Sequence, residues 1–225
     1  MNCSLNNPKK VLLCSVLVIL IIGSLTMVTY TSQTDALQSS VKLGLKSTAA
    51  VMATQISPME LEGIVPGDEE SEKYTAIARK LQTMRSMDDT ILNAYILKVA
   101  PDGTVTFLVD DLYPDDPQGS AKIGEVSTAP DKMDILLALS GPTTAREPYT
   151  TKYGSFMTAY APIDDATHDS TGNTYAVLAI DVSADDYNAY TSRGTMILLT
   201  GLISIILAIG GIVFFGSTRK GEPKA

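Results

Sequence analysis

Tryptophan is absent from this 225-residue chain, histidine occurs once and cysteine twice. Both cysteines, Cys3 and Cys14, stand near the N-terminus. The long central segment therefore cannot be a disulfide scaffold and has to rest on a hydrophobic core. His168 lies in a polar stretch between two β-rich runs. A Ser-His-Asp arrangement built on it competes with the plainer reading of a solvated loop histidine, which surface loops favour. No Cys/His set suits zinc, and no glycine-rich phosphate loop occurs. Basic residues are scarce too, 17 against 25 acidic for a net charge of −8. Five of those basic residues (Lys9, Lys10, Arg219, Lys220 and Lys224) lie at the two ends, so the middle is more acidic than the whole. That balance disfavours nucleic acid or anionic lipid as its partner. The acid pairs Asp110-Asp111, Asp115-Asp116, Asp164-Asp165 and Asp185-Asp186 lack the spacing, glycine and closing glutamate of a calcium loop. The residues thus point to no metal, no cofactor and no enzyme.

Two long apolar runs are present, Val11 to Val28 and Met196 to Phe215. Each has about the 20 residues a helix needs to cross the hydrocarbon of a bilayer. Lys9 and Lys10 before the first run, with Arg219, Lys220 and Lys224 after the second, put both flanks in the cytoplasm; Arg193 alone dissents. A cleaved signal peptide is the other reading of the first run, but no small-x-small cleavage site follows it. The expected layout is a tail over 1–10, a first span over 11–28, an outer domain over 29–194, a second span over 195–215 and a short cytoplasmic tail over 216–225. This is a two-pass protein of the plasma membrane.

Within the outer segment, Leu37, Val41, Leu45, Ala49, Met52 and Ile56 form one apolar stripe, so the first helix continues beyond the membrane to about Gln55. Pro58 and Pro66-Gly67-Asp68 break the chain. A second helix from about Ser71 carries Tyr74, Ile77, Ala78, Leu81 and Met84 on one face. Strands are expected over Ile91–Val99, Val105–Val109, Arg146–Thr151, Gly154–Ile163 and Thr174–Val182, with a short helix over Asp131–Leu139. Ser183 to Asp186 start an exit helix leading into the second span. The order implies an α+β domain of about five antiparallel strands, with helices on one side.

Several segments in this order resemble one known family. Gly67-Asp68-Glu69 with Tyr74, Ile77, Leu81 and Arg85, then Phe107-Leu108-Val109-Asp110 and Ile123-Gly124-Glu125, are similar to parts of the extracytoplasmic single Cache domain, a PAS-like sensor fold. So are Glu147-Pro148-Tyr149-Thr150, Tyr153-Gly154-Ser155-Phe156, Ala159-Tyr160-Ala161-Pro162-Ile163 and Ala179-Ile180-Asp181-Val182. The resemblance covers about Tyr30 to Ser192. It implies a sensor of the kind found in methyl-accepting chemotaxis proteins and sensor histidine kinases, here without a cytoplasmic output module. Tyr153 departs from the family, which often has Trp there.

The resemblance implies a ligand against the sheet, beneath its distal loops. Asp181 is then expected to take a ligand ammonium, with Tyr95, Tyr149, Tyr153 and Tyr160 as walls and hydroxyls, and Lys152 or Arg146 for other polar groups. Strand tyrosines packed in a core and an aspartate bonded to strand-end amides are the structural alternative. The partners expected are a small polar ligand, a second copy in a homodimer, and a separate cytoplasmic or membrane signalling protein. Small residues Thr200, Ser204 and Ala208, near Gly201 and Gly211, give the second span a face for helix packing. A non-signalling membrane subunit binding a ligand or protein, or a truncated receptor, is the other functional reading.

Overall fold

The computed structural model describes residues 8–164, 176–192 and 195–218. His168, Arg193 and the basic residues after the second span lie outside them. The chain divides into two units, one formed by residues up to Gln38 and from Tyr190, the other by Ser39–Ala189.

The first unit holds α6 (Thr195–Thr218) and much of α1 (Pro8–Ala53), each long and apolar enough to cross a membrane. Leu12, Leu20, Leu25, Leu202 and Leu207 are exposed, as lipid-facing side chains would be. Gly201 is buried, and a Cβ there would run into Thr26, so the two apolar helices approach closely at that point. Ser204 donates to the Thr200 carbonyl of its own helix at 2.8 Å.

In the second unit, serine starts all but one of the helices that begin there. Ser71 accepts from the Tyr74 amide and opens α3 (Glu72–Arg85). Pro58 begins a helix where only a break was expected. Ser57 and Glu60 form a reciprocal cap around it, and proline fits the first turn of α2 (Pro58–Leu61), where no amide donor is needed.

The strands are β1 (Ile91–Val99), β2 (Val105–Asp110), β3 (Thr143–Thr144), β4 (Tyr149–Thr151), β5 (Gly154–Ile163) and β6 (Ala176–Ser183). They form one antiparallel sheet in the order β2-β1-β6-β5-β3, with β4 pairing β5. The fold is α+β, as the element order implied. β3 had no signal, being two residues long, and β4 is shorter than the strand expected from Arg146.

Helices lie on both sides of the sheet, not on one. Ala94, Ile96, Ala159, Ala161, Leu178 and Ile180 face a core built with Ala49 and Met52 of α1, Ile56 just after it, and Tyr74, Ile77 and Leu81 of α3. On the opposite face Tyr95, Leu97, Tyr160, Val177 and Ala179 pack on Ile135 and Ala138 of α4 (Lys132–Ala138). The reason lies in β6, whose first seven residues are all buried. An unbroken apolar strand needs cover on both faces. After β6, Ser183 accepts from the Asp185 and Asp186 amides and opens α5 (Ala184–Thr191). Residues between α5 and α6 fall partly outside the described ones, so the continuity expected there is not described.

Gly154 turns the chain from β4 into β5 at φ +142°, and a Cβ there would come within 2.6 Å of the Phe156 ring. Gly154→Ala is therefore expected to destabilise by about 1–3 kcal/mol through backbone strain and overpacking. Urea unfolding checks this; an unchanged midpoint would refute it.

Candidate functional site

Strand register assembles the site. On the α4 side of the sheet, Asn93 pairs with Asp181 and Asp181 with Thr158, so these three polar side chains stand in one row across β1, β6 and β5. The next row is Tyr95, Ala179 and Tyr160. The small alanine between them makes room for two tyrosine rings. Asp110 lies opposite Tyr95 on β2.

Asp181 sits inside β6, two residues before its end, and is 3% exposed. It bonds side chains and not strand-end amides. Thr158 donates to Oδ1 at 2.6 Å, Tyr95 to the same oxygen at 3.2 Å, and Asn93 to Oδ2 at 3.4 Å. Burial pushes its carboxyl up to about 7 against these three bonds. Without a cation beside it, a buried carboxylate is poorly stabilised.

Above this row opens a cavity of about 80 Å³, with Tyr95, Tyr149, Tyr153, Phe107, Glu125 and Asp181 among its lining residues. The Phe107 ring lies 5.3 Å from Tyr95 and 6.2 Å from Tyr153, centroid to centroid, making one aromatic wall. At the rim Glu125 accepts from the Tyr153 hydroxyl at 2.5 Å and pairs with Lys152 at 2.9 Å. Burial pushes Glu125 up, but those two donors outweigh it and hold the carboxyl below its ordinary value. Asp110 also faces the cavity and accepts from the Leu112 and Ala121 amides. None of the described residues lining the cavity is Lys or Arg.

Four of the seven residues expected at the site, Asp181, Tyr95, Tyr149 and Tyr153, line this cavity. Tyr160 lies beneath it, fully buried, with its hydroxyl donating to Asp131 and 3.1 Å from that of Tyr149. Lys152 is engaged with Glu125 and sits 4.7 Å above the Tyr153 ring centre. Arg146 is not among the lining residues; its guanidinium pairs with Asp134 at 3.6 Å. Sequence reasoning missed Asn93 and Thr158 as site residues, although each stands two residues from an expected tyrosine on the same strand face. Phe107 and Glu125 entered only within the Cache-like segments.

No family model matches the sequence, and no curated protein matches it. Solved structures do. The ligand-binding domain of the Campylobacter jejuni chemoreceptor Tlp3, in complex with L-valine, is 18% identical at a TM-score of 0.43, covering 76% of this chain and 66% of its own. The E. coli DcuS sensor domain is 17% identical at 0.39, covering 72% and 99%. The periplasmic sensory domain of the C. jejuni chemoreceptor Tlp1 is 14% identical at 0.36, covering 76% and 62%. The neighbours are sensor domains. This chain spans just under two thirds of the two Campylobacter chains, and at these scores the likeness bears on no residue of the site.

Two other members of the acid pairs have partners of their own. Asp111 accepts from the Ala94 amide and pairs with Arg85 at 2.5 Å, and Asp115 pairs with Arg79 at 2.9 Å. Among the described residues no cluster of three or more His, Cys, Asp or Glu side chains forms a metal site.

Proposed function

We propose that this protein is an extracytoplasmic sensor of a small ligand with a cationic head, which Asp181 receives on the cavity floor. The observation that carries the reading is the cavity itself. It has aromatic walls, a buried carboxyl held near neutrality, further acids at Asp110 and Glu125, and no basic residue among its described lining. Aromatic rings and anions together suit an organic cation. They do not suit a ligand held chiefly by its carboxylate, because Lys152 and Arg146 are already paired with acids. The proposal includes the two-pass topology with both termini in the cytoplasm, a homodimer, and a ligand-induced change passed through the spans to a signalling partner. A ligand drives such a change only by binding one conformation more tightly than the other.

The test is a thermal-unfolding screen of the full chain in lipid nanodiscs against amines, amino acids, carboxylates and divalent cations. An amine at ~100 times its dissociation constant should add about 2.7 kcal/mol, a shift of several degrees. Asp181→Ala should weaken that amine by about 2–5 kcal/mol, more than tenfold in every case, since it removes a buried charge partner. Hits confined to carboxylates would overturn the reading. So would an amine whose shift survives in Asp181→Ala. A stable protein with no hit would point to a protein partner for this face.

A further inference from the structure

Asp181 is one end of a buried chain of oxygens whose other end is Asp131, the residue just before α4. Asp131 meets Tyr160, Tyr160 meets Tyr149 at 3.1 Å, Tyr149 meets Thr158 at 2.7 Å, Thr158 meets Asp181 at 2.6 Å, and Asp181 meets Tyr95 at 3.2 Å. Tyr160 and Thr158 are fully buried, and Asp131 and Asp181 nearly so.

Counting protons decides the state of this chain. These are five contacts between oxygens, and each needs one proton to be a hydrogen bond, yet Tyr160, Tyr149, Thr158 and Tyr95 bring only four. With both carboxylates ionised, Tyr160 donates to Asp131 and Thr158 to Asp181. Tyr149 then serves one neighbour and faces the other lone pair to lone pair. One added proton removes the conflict. On Asp181, it is donated to Thr158, and the hydroxyls point in turn toward Asp131. On Asp131, it is donated to Tyr160, and the same three hydroxyls point the other way. A second observation agrees: Asp131 Oδ1 is buried with no hydrogen-bond partner. An ionised carboxylate tolerates an unpaired dry oxygen badly, and a neutral acid tolerates it far better.

We propose that Asp131 and Asp181 hold one proton between them through the Tyr160–Tyr149–Thr158 hydroxyls, and that a cationic head arriving at Asp181 drives this proton onto Asp131. Each hydroxyl passes one proton on and receives one, so the relay keeps its charge and releases nothing to solvent. The cation thereby meets an ionised Asp181, and charge complementarity is met inside the protein. A neutral ligand gains nothing from the transfer, which makes Asp131 a specificity-setting residue that does not line the cavity. The titratable groups facing the pair are Tyr95 of β1, Tyr149 of β4, Tyr160 of β5 and Asp134 of α4, with Asp110 and Glu125 on the cavity wall. Arg146 pairs with Asp134. Burial pushes both carboxyls up, in keeping with a retained proton.

The sharing is testable without ligand; only the transfer rests on the proposed cationic ligand. The full chain in nanodiscs, in heavy water at pH 7, should show the infrared band of about one protonated carboxyl beyond that of any variant lacking the relay. Tyr149→Phe keeps both carboxylates in place, yet it leaves three contacts for three hydroxyl protons and should abolish that band. Asp131→Asn and Asp181→Asn should each abolish it as well, because the amide donates where the shared proton did. Thr158→Val cuts the relay at another point and serves if Tyr149→Phe does not fold. A band that survives either cut, or that each Asn variant removes only in part, would show two independent acids and overturn the proposal. With n-butylammonium as probe, the wild-type band should shift in frequency and keep its area; loss of the band on binding would overturn the transfer alone. If no amine binds, the proposed function and the transfer fail together, while the ligand-free result stands.

Discussion

Arg85→Ala is expected to destabilise the domain by about 3–5 kcal/mol, lowering its melting temperature by on the order of 10 °C. Asp111 has no exposure, and its carboxylate accepts from Arg85 at 2.5 Å and from the Ala94 amide at 3.1 Å. Arg85 also donates to the Leu92 carbonyl at 3.0 Å, tying the end of α3 to the start of β1. Removing the guanidinium strands a charge that cannot reach water. Burial already pushes Asp111 up to about 6, with the Ala94 amide and Arg85 opposing. Without Arg85 it rises further, so the variant escapes part of the penalty by protonating. The deficit should therefore be largest at pH 8, shrink as the pH falls toward about 6, and level off below that, where Asp111 is protonated in both proteins. Thermal unfolding of Arg85→Ala at both pH values is the measurement. A variant within about 2 °C of wild type at pH 8 would show that the pair carries no structural weight.

Arg85 also illustrates how much of the fold was legible. Its helix was readable because apolar residues recur at helical spacing from Tyr74 to Leu81 behind a serine cap. The long strands β1 and β5 were readable to the residue, since β-rich runs end at Pro101-Asp102-Gly103 and begin at Gly154. What the sequence hid was short or two-sided. Thr143–Thr144 pairs with β5 only through tertiary placement, and two residues carry no periodicity. α2 escaped because Pro58 signals a break and a helix start alike, and the capping box decides between them. The second helical layer was visible in principle, in the unbroken run Ala176 to Ile180. Such a run reads equally as a buried strand in any architecture, so it did not say which helix would cover it.

The site was legible as residue types and not as a circuit. Aromatic residues and a strand aspartate suggested a cleft, but register alone shows that Asn93, Asp181 and Thr158 share a row. Register depends on which strands become neighbours, and β1 lies beside β6 although most of the domain separates them in sequence. A bulge deepens the difficulty. Between Ile96 and Leu97 the pairing with β2 skips Leu108, which brings Asp110 opposite Tyr95. Lys152 and Arg146 were expected to meet a ligand's polar groups because the Cache resemblance implies a site against the sheet beside them. Only the structure shows their carboxylate partners, Glu125 and Asp134. Asp131 had been read as part of a helix start. Its side chain makes no cap bond there and accepts from Tyr160 instead.

Asp181→Asn should make the ligand-free protein more stable at pH 8 than wild type, by up to about 4 kcal/mol. An unfolded aspartate releases its proton near pH ~3.9, whereas burial holds Asp181 up to about 7 in the fold. Between these values the native state binds a proton that the unfolded chain does not. The contribution of Asp181 to wild-type stability is therefore fullest below about pH 4, falls as the pH climbs to about 7, and levels off above. Asparagine keeps the shape, places an amide donor toward Thr158 where the shared proton stood, and carries no proton equilibrium, so its profile should lose that decline. Denaturant unfolding of both proteins from pH 4 to pH 8.5 reads the difference directly. The same substitution should erase the response to amines. A stability gain joined to a binding loss marks a carboxyl that serves the cavity at the fold's expense. Asp111→Asn should instead destabilise wherever the pair is charged, because Oδ1 serves the Ala94 amide and the new amide group would face the Arg85 guanidinium donor against donor. If Asp181→Asn proves no more stable than wild type at pH 8, Asp181 belongs with Asp111 among the structural acids, and the cationic reading of the cavity loses its anchor.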